Sequence, residues 1–207
     1  MREDLIPESI RNKYEVYDYK NAISILYTSY HDAFLEICSM LDSLQITKTM
    51  ILTPGGNESP IPKAFSEILR PLGWEEVQLT AATIVNGVET VRTETHKIDY
   101  VKGEIAFDLE WNSKDQTFDR DLYAFRSFFD LNKISLGILV TRSSNLQDYF
   151  KSLGEVIDQH GRPQIVAKKY GRSTTHMDKL LYRVKEGRSG GCPLICFGIT
   201  SNVIVDE

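Results

Sequence analysis

Three carboxylates carry the chemistry that this sequence makes available. In the run Glu104 to Trp111, the apolar residues Ile105, Phe107, Leu109 and Trp111 alternate with Ala106, Asp108 and Glu110. Successive side chains of a strand point to opposite faces, so Asp108 and Glu110 share one face and the apolar residues the other. Asp99 lies just upstream. If Lys102-Gly103 is a two-residue reversal, Val101 pairs with Glu104, Asp99 stands opposite Ala106, and Lys97 stands opposite Asp108. Asp99 is then diagonal to Asp108, roughly 5 to 8 Å away, with Lys97 between them as a charge partner.

Three like charges on one strand face repel, and Asp is disfavoured in strands, so something must offset the cost. A divalent cation does so. Oxygen-only ligands suit Mg²⁺, with Mn²⁺ as a substitute, better than zinc. A cation held this way polarises a phosphoryl oxygen and acidifies a bound water, which is the chemistry of phosphodiester hydrolysis. Two other readings stay open. The Asp-Leu-Glu run is also what the solvated side of an exposed hairpin looks like, and Asp108 with Glu110 could serve as the acid and base of a glycosidase. A third carboxylate beside that pair, and a basic C-terminal segment, favour metal over sugar chemistry.

Periodicity along the chain defines the elements that must place these groups. Ile23, Leu26, Tyr27, Tyr30, Phe34, Ile37, Leu41 and Leu44 recur at gaps of three and four, predicting one long amphipathic helix from about Asn21 to Leu44. The turn-rich stretch Thr53 to Pro62 leads into a short helix that Pro71 and Gly73 stop. Val77 to Val85 and Val88 to Val101 flank Asn86-Gly87, a strong hairpin signal, and with Glu104 to Trp111 they predict a three-stranded antiparallel meander. Asp119 to Leu131 has helical spacing, and Ser135 to Thr141 is a continuously apolar strand of the kind buried on both faces. Short helices around Leu146 to Leu153 and His176 to Glu186, a basic loop from Gly154 to Thr175 and a closing strand, Pro193 to Ile199, complete the chain. The predicted class is α/β: a central mixed sheet with an antiparallel catalytic meander, flanked by helices, in one domain spanning residues 1–207, with a core at about 77–141 and a ligand-facing part at about 142–190.

The chain has 207 residues, 42% hydrophobic and 26% charged, the balance of a globular protein. No apolar run is long enough for a membrane span, and the N-terminal residues lack an apolar leader core, so a cytoplasmic location without a membrane partner is expected. Cys38, Cys192 and Cys196 are odd in number, and the pair in Cys-Pro-Leu-Ile-Cys falls in an apolar strand, so core thiols are expected. Between Lys151 and Gly190, nine basic residues face four acidic ones, a local +5 that leaves −10 on the remainder of a chain with net charge −5. A basic stretch on an acidic remainder fits a protein that meets phosphates on one face and holds cations elsewhere. An uneven but idle surface would look the same.

Within that stretch, Lys168 to Lys179 mixes cations with short hydrogen-bonding side chains just before a helix, a composition suited to DNA. A solvated loop with a helix cap at Ser173 to Thr175 is the plain alternative. Arg142, Ser143, Ser144 and Asn145 emerge from the end of the buried strand, where such sheets often present ligands. Asn112, Ser113 and Lys114 follow the acidic strand and could steady a phosphate or water, although Lys114 reads as a surface residue. His31 and His96 lack spaced ligand partners and read as structural or exposed.

The run Lys97 to Asp115 resembles the active-site hairpin of the BglII/BstYI family of type II restriction endonucleases, within the PD-(D/E)xK nuclease superfamily. An Asp opens the hairpin, eight residues intervene before an acidic residue in an apolar strand, and the third position lies two further on: Asp99, Asp108 and Glu110. A looser likeness covers Ile51 to Glu76 and the apolar ending. Family members have Glu then Gln where this chain has Asp108 then Glu110, and the superfamily's Lys is absent from the third position.

The resemblance implies a Mg²⁺-dependent type II endonuclease that cuts duplex DNA at a short palindrome, one built on GATC in relatives. It implies 5′-phosphate and 3′-hydroxyl ends, a homodimer and a cognate DNA methyltransferase. Asp99 and Asp108 would ligate metal, while Glu110 completes the shell or orients the water. Lys168, Lys169, Arg172, Ser173, Thr174, Thr175 and His176 would approach DNA, with Arg142 to Asn145 adding contacts. The rival within the same fold is a DNA-binding or regulatory protein without turnover.

Overall fold

In the computed structural model, which describes residues 2–53, 59–158 and 160–206, the alternation and the apolar runs resolve into a mixed sheet between helical layers. The turn-rich residues 54–58 lie outside the described residues. The strands are β1 (Tyr14–Tyr19), β2 (Ile46–Thr47), β3 (Glu75–Val77), β4 (Thr80–Val85), β5 (Val88–Glu94), β6 (Ile98–Lys102), β7 (Ile105–Glu110), β8 (Leu136–Arg142), β9 (Glu155–Ile157), β10 (Pro163–Ile165), β11 (Leu194–Ile199) and β12 (Ile204–Val205). The helices are α1 (Glu8–Arg11), α2 (Ala22–Ser29), α3 (His31–Ser43), α4 (Lys48–Leu52), α5 (Pro60–Leu69), α6 (Thr117–Asp130), α7 (Leu146–Ser152), α8 (Val166–Lys169) and α9 (Met177–Lys185).

Six strands form the main sheet in the order β1-β11-β8-β7-β6-β3. The pairs β7/β8 and β8/β11 are parallel, while β1/β11, β6/β7 and β3/β6 are antiparallel. Central β8 is buried at every residue, as its unbroken apolar run requires of a strand covered on both faces. Ile105, Phe107 and Leu109 of β7 enter one core with Phe65 and Trp74, and Ala106 enters a second core with Phe118, Leu122, Phe125 and Leu180. Asp108 and Glu110 therefore face the layer made by α6 and α9. The α6 helix packs close to the sheet because β8 carries Gly137: a Cβ there would stand 2.7 Å from Phe125 Cδ2 and 2.8 Å from Leu194 Cδ2. All three cysteines are buried free thiols, as expected.

Four expectations need correction. The predicted helix from Asn21 to Leu44 is two helices, α2 and α3, parted at Tyr30 (φ −135°, ψ 49°). Tyr30 leaves helical geometry with its hydroxyl 2.8 Å from Glu104 Oε2 and 2.7 Å from Ser135 Oγ, contacts that tie this bend to the sheet. The predicted meander is also divided. β4 and β5 pair only with each other, and β6 pairs with β3 on its outer side. Thr95 closes the neck of the β4–β5 hairpin, its amide donating to Leu79 O at 2.9 Å while its hydroxyl accepts from Leu79 N at 3.0 Å. Beyond that clamp Ile84, Val85, Val88 and Val91 are exposed. The stretch from Gly154 to Thr175, read as loop, holds the short elements β9, β10 and α8. Finally, β1 was not foreseen, since Tyr-Glu-Val-Tyr-Asp-Tyr gives little apolar alternation, yet it forms the edge beside β11.

Candidate active site

The acidic hairpin turns one residue later than expected. The pairs are Tyr100↔Phe107, Val101↔Ala106 and Lys102↔Ile105, so the reversal is Gly103-Glu104, with Gly103 at φ +56° as a tight hairpin requires. The correction shifts the register by two, an even number, so the shared face survives while the diagonal becomes a direct pair. Continued one step, the register sets Asp99 opposite Asp108, and the Asp99 amide donates to Asp108 Oδ1 at 2.7 Å. Lys97 is not between them. Its Nζ instead bonds Glu76 Oε1 at 2.7 Å in a half-exposed ion pair.

Asp108 is only 3% exposed, which rules out the solvated-hairpin reading for this residue. A fourth carboxylate, Asp121, approaches from α6 and is 2% exposed. Burial, followed by the charges of Asp99 and Asp121, pushes the Asp108 carboxyl well above the usual range. Asp99 and Glu110 are raised as well, mainly by burial, although the Ser113 side chain partly offsets this at Glu110. Burial and the neighbouring Glu110 carboxylate push Asp121 up to about 8. Arg70 and Arg120 are the cations whose charge opposes these shifts at Asp99. Arg120 Nε stands 3.9 Å from Asp121 Oδ1, and the Arg70 guanidinium lies 4.5 Å from the Tyr100 ring centroid.

Asp121 was missed in the sequence, where it reads as one more polar residue of an amphipathic helix. A usable signal was present: it falls inside the apolar stripe of Phe118, Leu122 and Phe125 rather than on the opposite face.

Asp108 Oδ2, Glu110 Oε2 and Asp121 Oδ2 are buried with no hydrogen-bond partner. An orphaned carboxylate oxygen is costly in a protein interior, and a hard divalent cation is the ligand whose charge and oxygen preference answer it. Among the described residues no three His, Cys, Asp or Glu side chains stand already arranged as a metal cluster. The fit therefore rests on donor chemistry and on the unpartnered oxygens.

The candidate nucleic-acid residues divide by burial. Lys168, Arg172, Ser173 and Asn145 are exposed, and Ser144, Thr174 and His176 are partly so. Of these, Ser144, Arg172 and His176 line a cleft of about 760 Å³ together with Gln147, Lys151 and Lys179, among others. Arg142, Ser143 and Thr175 are buried, although Arg142 also lines this cleft. The Arg142 guanidinium donates to Thr175 O at 2.7 Å and Tyr170 O at 3.0 Å, and also to the Thr174 hydroxyl, holding the 170–175 loop from beneath. Ser143 Oγ donates to Glu15 Oε1. Lys169 is drawn inward, its Nζ bonding Ile51 O at 3.0 Å and Thr53 O at 2.7 Å, so it serves as an internal tie.

That loop is joined to the acidic strand. Thr175 N donates to Ser113 O at 3.0 Å, Asp115 N donates to Ser173 O at 3.1 Å, and Lys114 forms a β-bridge with Thr174. The exit of β7 and the basic loop are therefore tied together by backbone bonds. The Lys114 side chain is exposed, as the surface reading expected.

Among known families, the model described as restriction endonuclease BglII/BglIII matches residues 14–199 of the 207. No curated protein matches the chain. No helix among the described residues is long and apolar enough to cross a membrane.

Proposed function

The chain belongs to the BglII/BglIII restriction endonuclease family, nucleases that act on DNA phosphodiester bonds and generally use divalent metal ions, and from that premise we propose that it is a Mg²⁺-dependent type II enzyme cutting duplex DNA at a short palindrome. The observation that carries the site assignment is the direct pairing of half-buried Asp99 with buried Asp108, whose second oxygen has no protein partner.

In this reading Asp99, Asp108 and Glu110 hold the cation. The bound ion supplies charge neutralisation at the phosphoryl oxygens and a more acidic water. The Asp99 amide fixes the rotamer of Asp108, so its free oxygen is presented in one orientation. Glu110, at the open end of β7 beside Ser113, completes the shell or orients the attacking water. In-line attack leaves a 5′-phosphate and a 3′-hydroxyl. Arg172, Ser173, Thr174 and His176 face the duplex from the loop that Arg142 supports, with Lys168, Ser144 and Asn145 beside them.

A palindromic site calls for a two-fold homodimer, each protomer cutting one strand. A site related to GATC, use of Mn²⁺ in place of Mg²⁺, a cytoplasmic location and a methyltransferase protecting the host's own sites complete the proposal. Sequencing the ends of digested DNA tests it: one palindrome with a fixed cut position is expected, and ends spread over unrelated sequences would refute site specificity.

A further inference from the structure

The family's motif accounts for Asp99, Asp108 and Glu110, but not for the carboxylate that α6 delivers to them. We propose that Asp121 is a further ligand of the divalent-cation site, binding the ion jointly with Glu110. This rests on the reading of the acidic hairpin as a cation site.

Asp121 occupies a position where packing alone would select an apolar residue. It lies between Phe118 and Phe125 on the buried stripe of α6 and is 2% exposed. A carboxylate buried for structure finds donors, as Asp18 does by accepting from Ile23 N at 3.2 Å. Asp121 Oδ2 finds none, and the cation nearest its other oxygen, Arg120 Nε, stands 3.9 Å away on a half-exposed side chain.

Its neighbour in the cluster is Glu110, whose charge acts on it and whose Oε2 is also unpartnered. Two neighbouring carboxyls, one from the end of β7 and one from α6, each with a buried unpartnered oxygen, form the oxygen-only donor pair that suits Mg²⁺, Mn²⁺ or Ca²⁺. The glycine at 137 lets Phe125 of α6, one turn beyond Asp121, pack close against the sheet. Glu110 is thereby shared between the hairpin carboxylates and the helix, which explains why an acidic residue serves at the third position.

The test is calorimetric titration of Ca²⁺ or Mn²⁺, without DNA, into the full-length wild type and the variants Asp121→Asn, Asp121→Ser and Asp108→Asn, with folding checked by melting in EDTA. About tenfold weaker cation binding is expected for both Asp121 variants, with folding retained. A change under threefold in a folded Asp121 variant, while Asp108→Asn binds weakly, overturns this inference and leaves the hairpin site standing. Wild-type affinity in Asp108→Asn as well overturns the cation-site reading itself. The serine variant decides the matter if the asparagine variant does not fold.

Discussion

The amide of Asp99 donates a 2.7 Å hydrogen bond to Oδ1 of Asp108, binding together across the β6–β7 pair two of the carboxylates proposed to hold the cation. The bond fixes one oxygen of Asp108 and leaves the other, Oδ2, buried without a partner. Replacing Asp108 by Asn keeps the acceptor for the Asp99 amide and removes the charge. Asp108→Asn should therefore melt at or above the wild-type temperature in EDTA at pH 8, yet lose at least a hundredfold in DNA cleavage. A large fall in melting temperature would mean that the carboxylate is structural.

The four clustered carboxyls, Asp108 and Asp121 buried and Asp99 and Glu110 half-buried, give stability a defined pH dependence. Each has a folded pKa above its unfolded value, so the folded state binds more protons and stability falls as pH rises. For Asp121 the loss begins near its ordinary value of 3.8 and is complete above about 8. The metal-free protein should thus lose stability progressively between about pH 4 and pH 8, and millimolar Mg²⁺ should restore most of it at the alkaline end. Thermal melts across pH with and without Mg²⁺ check this, and a flat profile in EDTA would contradict the buried cluster.

Arg142 should act through the loop it supports. Arg142→Met leaves Thr175 O, Tyr170 O and the Thr174 hydroxyl without their donor, a loss of about 3 kcal/mol by the usual cost of orphaned buried acceptors. Denaturant unfolding measures it. Arg142→Lys should not rescue, because one ammonium does not span acceptors that the planar guanidinium reaches together. Wild-type stability in the Met variant would show that the loop holds itself.

The basic face should reveal itself in salt dependence. Each phosphate neutralised contributes about 0.9 to the slope of log K against log salt. Lys168→Ala combined with Arg172→Ala should flatten that slope by about 1.8, measured by fluorescence anisotropy on a short duplex. Lys169→Ala should leave the slope unchanged and lower stability instead, since its ammonium bonds Ile51 O and Thr53 O. An unchanged slope in the double variant would remove this loop from the interface.

The parts legible in the sequence were those written in local periodicity. Period-two alternation in β7 placed Asp108 and Glu110 on one face, and the unbroken apolar run of β8 announced a strand covered on both sides. The turn position was misjudged by one residue because Lys102, Gly103 and Glu104 are all acceptable turn residues and tertiary pairing chooses among them. Asp99 still fell on the correct face because the resulting register shift is even. The break at Tyr30 was illegible, since it follows from the hydroxyl's reach to Glu104 and Ser135, far along the chain. For the same reason the support that Arg142 gives its loop was illegible: nothing near it in sequence shows that its acceptors lie in residues 170–175. The match of residues 14–199 to the family bears out the resemblance first carried by the hairpin spacing.

The most direct test of the acidic hairpin as a nuclease centre is digestion of plasmid DNA with purified wild type and Asp108→Ala, each with Mg²⁺ and with EDTA. The expected result is discrete fragments bearing 5′-phosphates from the wild type with Mg²⁺, and intact plasmid in the other three reactions. Equal cleavage by Asp108→Ala, or no cleavage by a folded, Mg²⁺-loaded wild type on DNA carrying every short palindrome, would contradict it.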